Sequence, residues 1–178
     1  MRNLALKLFL FPVLLVFSCL VAGTYGGLHN QVSYTVSPDY FHAFRFLQFG
    51  FSPEWHTRLG ASVVGVMASW WMGLMIGTPI AAIGLLAPKP SDFARGFVKA
   101  TLIVITVATV FSLGALIYGY MVFSGDNIAI WALTWEGVGD RVAFARAGNM
   151  HNMTYLGGGA GLIVGSIYMF VYARRPRT

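Results

Sequence analysis

Charge is what this sequence has least of. Six acidic and twelve basic side chains in 178 residues make only 10% of the chain charged, against about a quarter in a soluble domain. That scarcity excludes an ordinary water-facing surface. Cysteine is nearly absent too: the lone Cys19 excludes an internal disulfide and a cysteine-based zinc site. The Phe in Val16-Phe17-Ser18-Cys19 also makes this a poor lipoprotein cleavage box. No two histidines have the HxxxH spacing that sets two ligands on one helix face, and no GxSxG elbow presents a serine nucleophile. The apolar runs hold no Asp, Glu, Lys or Arg. This argues against a conducting route through a single copy, because such routes keep charged or strongly polar groups inside the membrane.

What is present is hydrophobic. Apolar residues make up 57% of the chain, and the mean hydropathy is +0.67. Four uncharged stretches, about 8–28, 59–87, 100–124 and 154–173, reach the roughly 20 residues that a helix needs to cross hydrocarbon. They are continuous rather than alternating, so helices are expected and a barrel is not. The predicted fold is an all-α integral membrane protein, an antiparallel bundle of four transmembrane helices forming a single domain over 1–178. Arg2 and Lys7 before the first run, with Ala22, Gly23 and Gly26 after it, also give the layout of a signal peptide. The run is longer than a signal core, and an uncleaved helix is the expectation.

Charge in the connections predicts orientation. Arg2, Lys7, Lys89, Arg95, Lys99, Arg174, Arg175 and Arg177 fall on one side, opposed only by Asp92. The positive-inside rule then places both termini and the 88–99 loop in the cytoplasm of a bacterial inner membrane. The net charge of +6 is thereby an orientation signal, and nucleic acid is not an expected partner. The basic tail is placed to touch anionic lipid head groups. In the turn at Pro88-Lys89-Pro90-Ser91-Asp92, Ser91 is the candidate cap for the next helix.

The outer connections, 29–58 and 126–153, carry the remaining detail. Residues 31–37, Gln-Val-Ser-Tyr-Thr-Val-Ser, alternate polar and apolar, the period of an extended segment with Val32, Tyr34 and Val36 on one side. Ser37-Pro38-Asp39 and Ser52-Pro53-Glu54 each read as a helix start. The helix after Ser37 has a narrow polar stripe of Asp39, His42, Arg45 and Gln48, which suits a short amphipathic helix in the head groups or one roofing the bundle. The helix after Ser52 is expected to run straight on into the second span. Asp126 is expected to cap a short helix holding Trp131 and Trp135, with a break at Gly137 and Gly139. Asp140 then opens a helix that continues into the fourth span, its weak point at Gly148.

Three sets of residues are candidates for function. The strongest motif is for packing: Gly157, Gly161 and Gly165 repeat at four-residue spacing, and Gly73 with Gly77 repeats it in the second span. Such stripes let helix backbones approach closely, and pairing of the second and fourth spans is expected. The second set is the histidines, all on the outer side. His42, His56 and His151, with His29 or a carboxylate such as Asp39 or Glu54, form a possible metal or haem set, and Met150 and Met153 offer soft ligands for copper. Hydrogen bonding at the water boundary is the simpler use, so no cofactor is expected. The third set is Trp70 and Trp71 near Pro79, whose kink would open an apolar pocket. These features point first to a non-enzymatic accessory or interaction subunit of a membrane assembly, contacting lipids and another membrane protein or a second copy. A metal- or haem-binding redox or sensor protein is the second reading, and a binder or carrier of a small apolar molecule the third.

Overall fold

The computed structural model describes residues 2–128 and 136–175. Four helices are long and apolar enough to cross a membrane: α1 (Arg2–Val36), α2 (Arg58–Gly84), α3 (Pro90–Val122) and α4 (Arg141–Arg174). α1, α3 and α4 are each longer than the stretch expected from hydropathy alone, whereas α2 ends three residues short of its expected 87. At about 1.5 Å per residue, α1 extends roughly 52 Å, well beyond a hydrocarbon core of about 30 Å.

The helices begin where their caps allow. Thr57 Oγ1 accepts from the Gly60 amide at 3.1 Å to open α2, and Asp140 Oδ1 accepts from Ala143 at 2.9 Å to open α4. α4 runs unbroken through Gly148. At α3 the expected cap is corrected: Lys89 takes the N-cap position and Pro90 the first turn, so Ser91 lies inside the helix. Proline needs no partner for an N–H it lacks, and its fixed φ is already helical.

Consecutive helices form two antiparallel hairpins. In the first, Lys7 Nζ donates to the carbonyls of Leu85 (2.8 Å) and Ala87 (3.0 Å), Ser18 Oγ to that of Gly73 (2.8 Å), and Asn30 Nδ2 to that of Ala61 (2.8 Å). In the second, Arg146 Nε donates to the Gly119 carbonyl at 3.0 Å and Asn149 Nδ2 to that of Ala115 at 3.1 Å. The hairpins join through two apolar clusters. Leu14, Ile80, Phe93, Phe97 and Met169 pack at the end holding both termini. Tyr40, Phe41, Phe46, Val64 and Phe144 pack at the opposite end, beneath the connection that roofs it.

The glycines meet different partners from those expected. Gly157 lies against Ala108 and Phe111, Gly161 against Val104, and Gly165 against Val104 and Ala100, all on α3. Gly73 and Gly77 lie against Ser18 and Cys19 on α1. The two stripes therefore serve mainly the two hairpins, and α2 reaches the α4 stripe only at Gly165, where a Cβ would lie 3.4 Å from Ile80.

The extended segment is also corrected. Residues 31–36 continue α1, and no strand occurs among the described residues. The buried positions there are His29, Asn30, Ser33 and Ser37, at helical spacing, while Leu28 and Val32 face outward. The fully buried positions at this end of the helix are polar and Leu28 and Val32 face outward, while Tyr34 and Val36 pack against the roof cluster, so the apparent alternation carries no strand meaning. Ser52 starts only a single turn, Pro53–Trp55, and the chain breaks at His56 and Thr57 before α2 begins. The helix expected around Trp131 and Trp135 lies outside the described residues.

The roof is the helical segment 38–48. Ser37 caps it, accepting from the Tyr40 amide, and Phe41–Arg45 is wound as a π-helical turn. Such turns insert a residue and re-aim the side chains that follow. Tyr40, Phe41 and Phe46 point into the bundle. Gly50, at φ 66°, turns the chain back afterwards. Asp39 Oδ2 accepts from the amides of Gly139 (2.9 Å) and Asp140 (3.1 Å), tying the roof to the start of α4.

Candidate functional site

Beneath the roof a cluster of buried and half-buried polar side chains gathers among the four helices. His29 and His151 are both buried, their rings edge to face with centroids 4.6 Å apart. His29 Nε2 faces two hydroxyls, Ser112 Oγ at 3.1 Å and Thr154 Oγ1 at 2.9 Å. A neutral imidazole nitrogen offers one proton or one lone pair, so it serves one hydroxyl at a time. Thr154 Oγ1 has the Met150 carbonyl as a second partner at 2.8 Å. His151 Nε2 lies 3.1 Å from Ser33 Oγ, and its ring stacks on Tyr40 at 4.9 Å. Tyr25 closes the cluster, its ring 5.9 Å from His29.

From the roof, Arg45 joins this group. Nη2 donates to Tyr40 Oη at 2.9 Å and Nη1 to Gln48 Oε1 at 2.7 Å, while the guanidinium lies over the Phe44 and Tyr40 rings. Its Nε is buried and has no hydrogen-bond partner. Burial raises the Tyr40 hydroxyl above its ordinary pKa, an effect that Arg45 partly offsets.

Arg45, the two histidines and Tyr25 line the head of a cavity of about 110 Å³ whose deeper wall is apolar, with Val64, Met72, Ile76, Val104 and Ile105. A water needs roughly 10–15 Å³ measured in this way, so the space is larger than a packing fault. A second cavity of about 50 Å³ continues downward, sharing Met72, Ile76 and Val104 and reaching Ile80 and Gly77. Measured along α2, Gly65 to Ile80 is about 22 Å at 1.5 Å per residue. The whole is a slot, its ionisable and amide groups at the roof and its lower walls apolar apart from the hydroxyls of Ser69, Ser18 and Thr101.

The other two histidines form a separate pair outside the cavity. His42 and His56 lie 5.7 Å apart, ring to ring, and both pack against the Phe46 ring. His56 Nε2 donates to the Phe51 carbonyl at 3.1 Å, which fixes its proton on that nitrogen. His42 Nε2 faces Tyr34 Oη at 3.1 Å, and burial, then the neighbouring His56, holds its pKa below the ordinary value. The four histidines thus divide into two pairs. Among the described residues no three His, Cys, Asp or Glu side chains gather as a metal-ligand set. Asp39 is engaged by backbone amides, and Glu54 by the Ser52 hydroxyl at 2.5 Å, which lowers its pKa.

Of the three residues expected to form an apolar pocket, only Trp70 lines one of these spaces. It borders an open apolar groove on the outer side of α1 and α2, with Leu15, Cys19 and Val66. Trp70 and Trp71 are 48% and 41% exposed, facing away from the bundle. Sequence reasoning missed the slot and Arg45's place in it. The available signal was the spacing of Gly26, His29, Asn30, Ser33 and Ser37, a helical stripe of small and polar residues. Compared with family models, curated proteins and solved structures, the chain matches none.

Proposed function

We propose that this chain is a non-enzymatic membrane binding protein that takes a small, largely apolar molecule with one polar end into the slot beneath its roof. One observation carries the reading: a largely apolar cavity inside the bundle whose imidazoles, amide and guanidinium gather at the roof, while the deeper hydroxyls of Ser18, Ser69 and Thr101 are engaged by backbone carbonyls. Binding sites in membrane bundles have this composition, apolar walls with a few placed polar groups that fix orientation. Ser112 and Ser33 each place a hydroxyl 3.1 Å from a histidine Nε2, but no acidic side chain lines the cavity to orient either ring for attack, so binding explains the site more simply than catalysis. The features that favoured an accessory subunit have other uses within the chain, since the glycine stripes pack its own hairpins and the expected lone strand is part of α1.

The distribution of basic residues supports an inner-membrane placement with both termini and Lys89 in the cytoplasm and the roof outside. A ligand would then enter from the outer leaflet. Native mass spectrometry on protein extracted gently from its own membranes tests the proposal. A retained small molecule at one per chain, lost in the cavity-filling variant Ala68→Leu, is expected. Bare protein in both forms, with no apolar probe taken up, would count against it.

A further inference from the structure

We infer that the polar end of the ligand is a single carboxylate, held by Arg45, and that its tail is one unbranched chain lying down the slot. This rests on the binding reading above and goes further by naming the ligand's chemistry. The guanidinium has only neutral partners among the described residues: Tyr40 Oη, Gln48 Oε1 and two aromatic rings. Its Nε donor is buried and unpartnered. Arg45 as a whole is half-buried and borders the cavity; the part of the cation that is withdrawn from water has no counter-charge, and an anion arriving from a ligand supplies one. No acidic side chain lines the cavity to repel such an anion.

The number of charges selects among anions. One guanidinium matches one carboxylate, whose two oxygens fit its planar fork. The other polar groups at the head of the slot are imidazoles, hydroxyls and the Asn30 amide. They supply hydrogen bonds and no second cation among the described residues, so a doubly charged phosphate monoester would leave charge unmatched. Shape selects the tail. The two cavities adjoin along α2, sharing Met72, Ile76 and Val104, and hold about 110 and about 50 Å³, room on the scale of one chain and too little for the two of a phospholipid. Because Arg45 stands on the roof rather than on a spanning helix, the group that captures the ligand also lies nearest to the aqueous end.

The test uses the full chain in nanodiscs of phosphatidylcholine at about pH 8, where a carboxylic acid in water is ionised. Radiolabelled decanoate is measured against empty discs, with decanol and decyl phosphate as competitors. Wild type should bind decanoate at least about tenfold more tightly than decanol, the scale of a charge-assisted contact. Arg45→Gln should bring the two within about twofold with decanol affinity unchanged, and Arg45→Lys should keep part of the preference. Equal binding of decanoate and decanol by wild type overturns the carboxylate inference and leaves the apolar-binding reading standing. Stronger competition by decyl phosphate than by unlabelled decanoate overturns it in favour of phosphate. Absence of any binding above empty discs removes both. Should Arg45→Gln lose decanol as well, the Lys variant decides: a decanoate preference there supports the inference, and none overturns it.

Discussion

At the scale of single residues, contact geometry separates glycines that look alike in the sequence. A Cβ on Gly65 would strike the backbone of Gly26, and one on Gly161 would sit 2.9 Å from Val104 Cα and its carbonyl oxygen. Backbone cannot rotate away as a side chain does. Gly65→Ala should therefore destabilise the protein by about 1–3 kcal/mol, the usual range for overpacking. Gly159 has nothing within 4 Å, and Gly159→Ala should stabilise by roughly 0.5–1 kcal/mol through helix propensity alone. Thermal midpoints in one detergent compare the two; equal effects would refute the packing assigned to α1 and α2. His42 gives a pH prediction. Its pKa in the folded protein lies below the ordinary 6.5, so the unfolded chain takes up the proton first. Stability should be present near pH 7 and be lost as pH falls from about 6.5 towards the lowered value. The charged groups that bear on it are His56, which opposes its protonation, and Asp39, which favours it. A melting profile from pH 7.5 to 5, beside that of His42→Gln, reads the effect; identical slopes for both proteins would contradict it.

At the scale of elements, the roof is held at three points: the Ser37 cap, the Asp39 bonds to the start of α4, and the apolar side chains beneath. Asp39→Ala removes acceptors for two amides and should loosen the roof without unfolding the bundle. The expected readout is faster amide exchange at Gly139 and Asp140, with exchange in α3 unchanged. The four long helices and the start of α4 at Asp140 were legible because length without charge and an Asx cap are local signals. The roof was legible too, since Ser37-Pro38-Asp39 and the polar stripe to Gln48 lie within one segment. Residues 31–36 misled because an amphipathic pattern is read with apolar residues inward. At the fully buried positions of this end of α1 that sense is reversed, with Ser33 inside and Val32 outside. The slot was not legible for another reason. It is made by His29, Ser112 and His151 from three helices, and no local pattern states which faces converge. The four histidines were visible as a group, but their division into two pairs depends on Phe41 and Phe46 standing between them.

At the scale of the whole molecule, two hairpins packed at both ends leave space at mid-depth where small residues such as Gly26, Gly65, Ala68 and Ala108 line the wall. Orientation is testable on the same object. In a Cys19→Ser background, Glu54→Cys should react with a membrane-impermeant maleimide in intact cells, whereas Ser91→Cys should react only after lysis. The reverse pattern would invert the proposed placement. The binding claim is tested most directly by methyl NMR of the protein in nanodiscs, titrated with decanol. Met72 lines the cavity, and Met121, 80% exposed, faces away from the bundle. A saturable shift at Met72, absent at Met121 and abolished by Ala68→Leu, is the predicted result. Parallel, non-saturating shifts at both methyls would show only partition into lipid and would contradict a binding site in the slot.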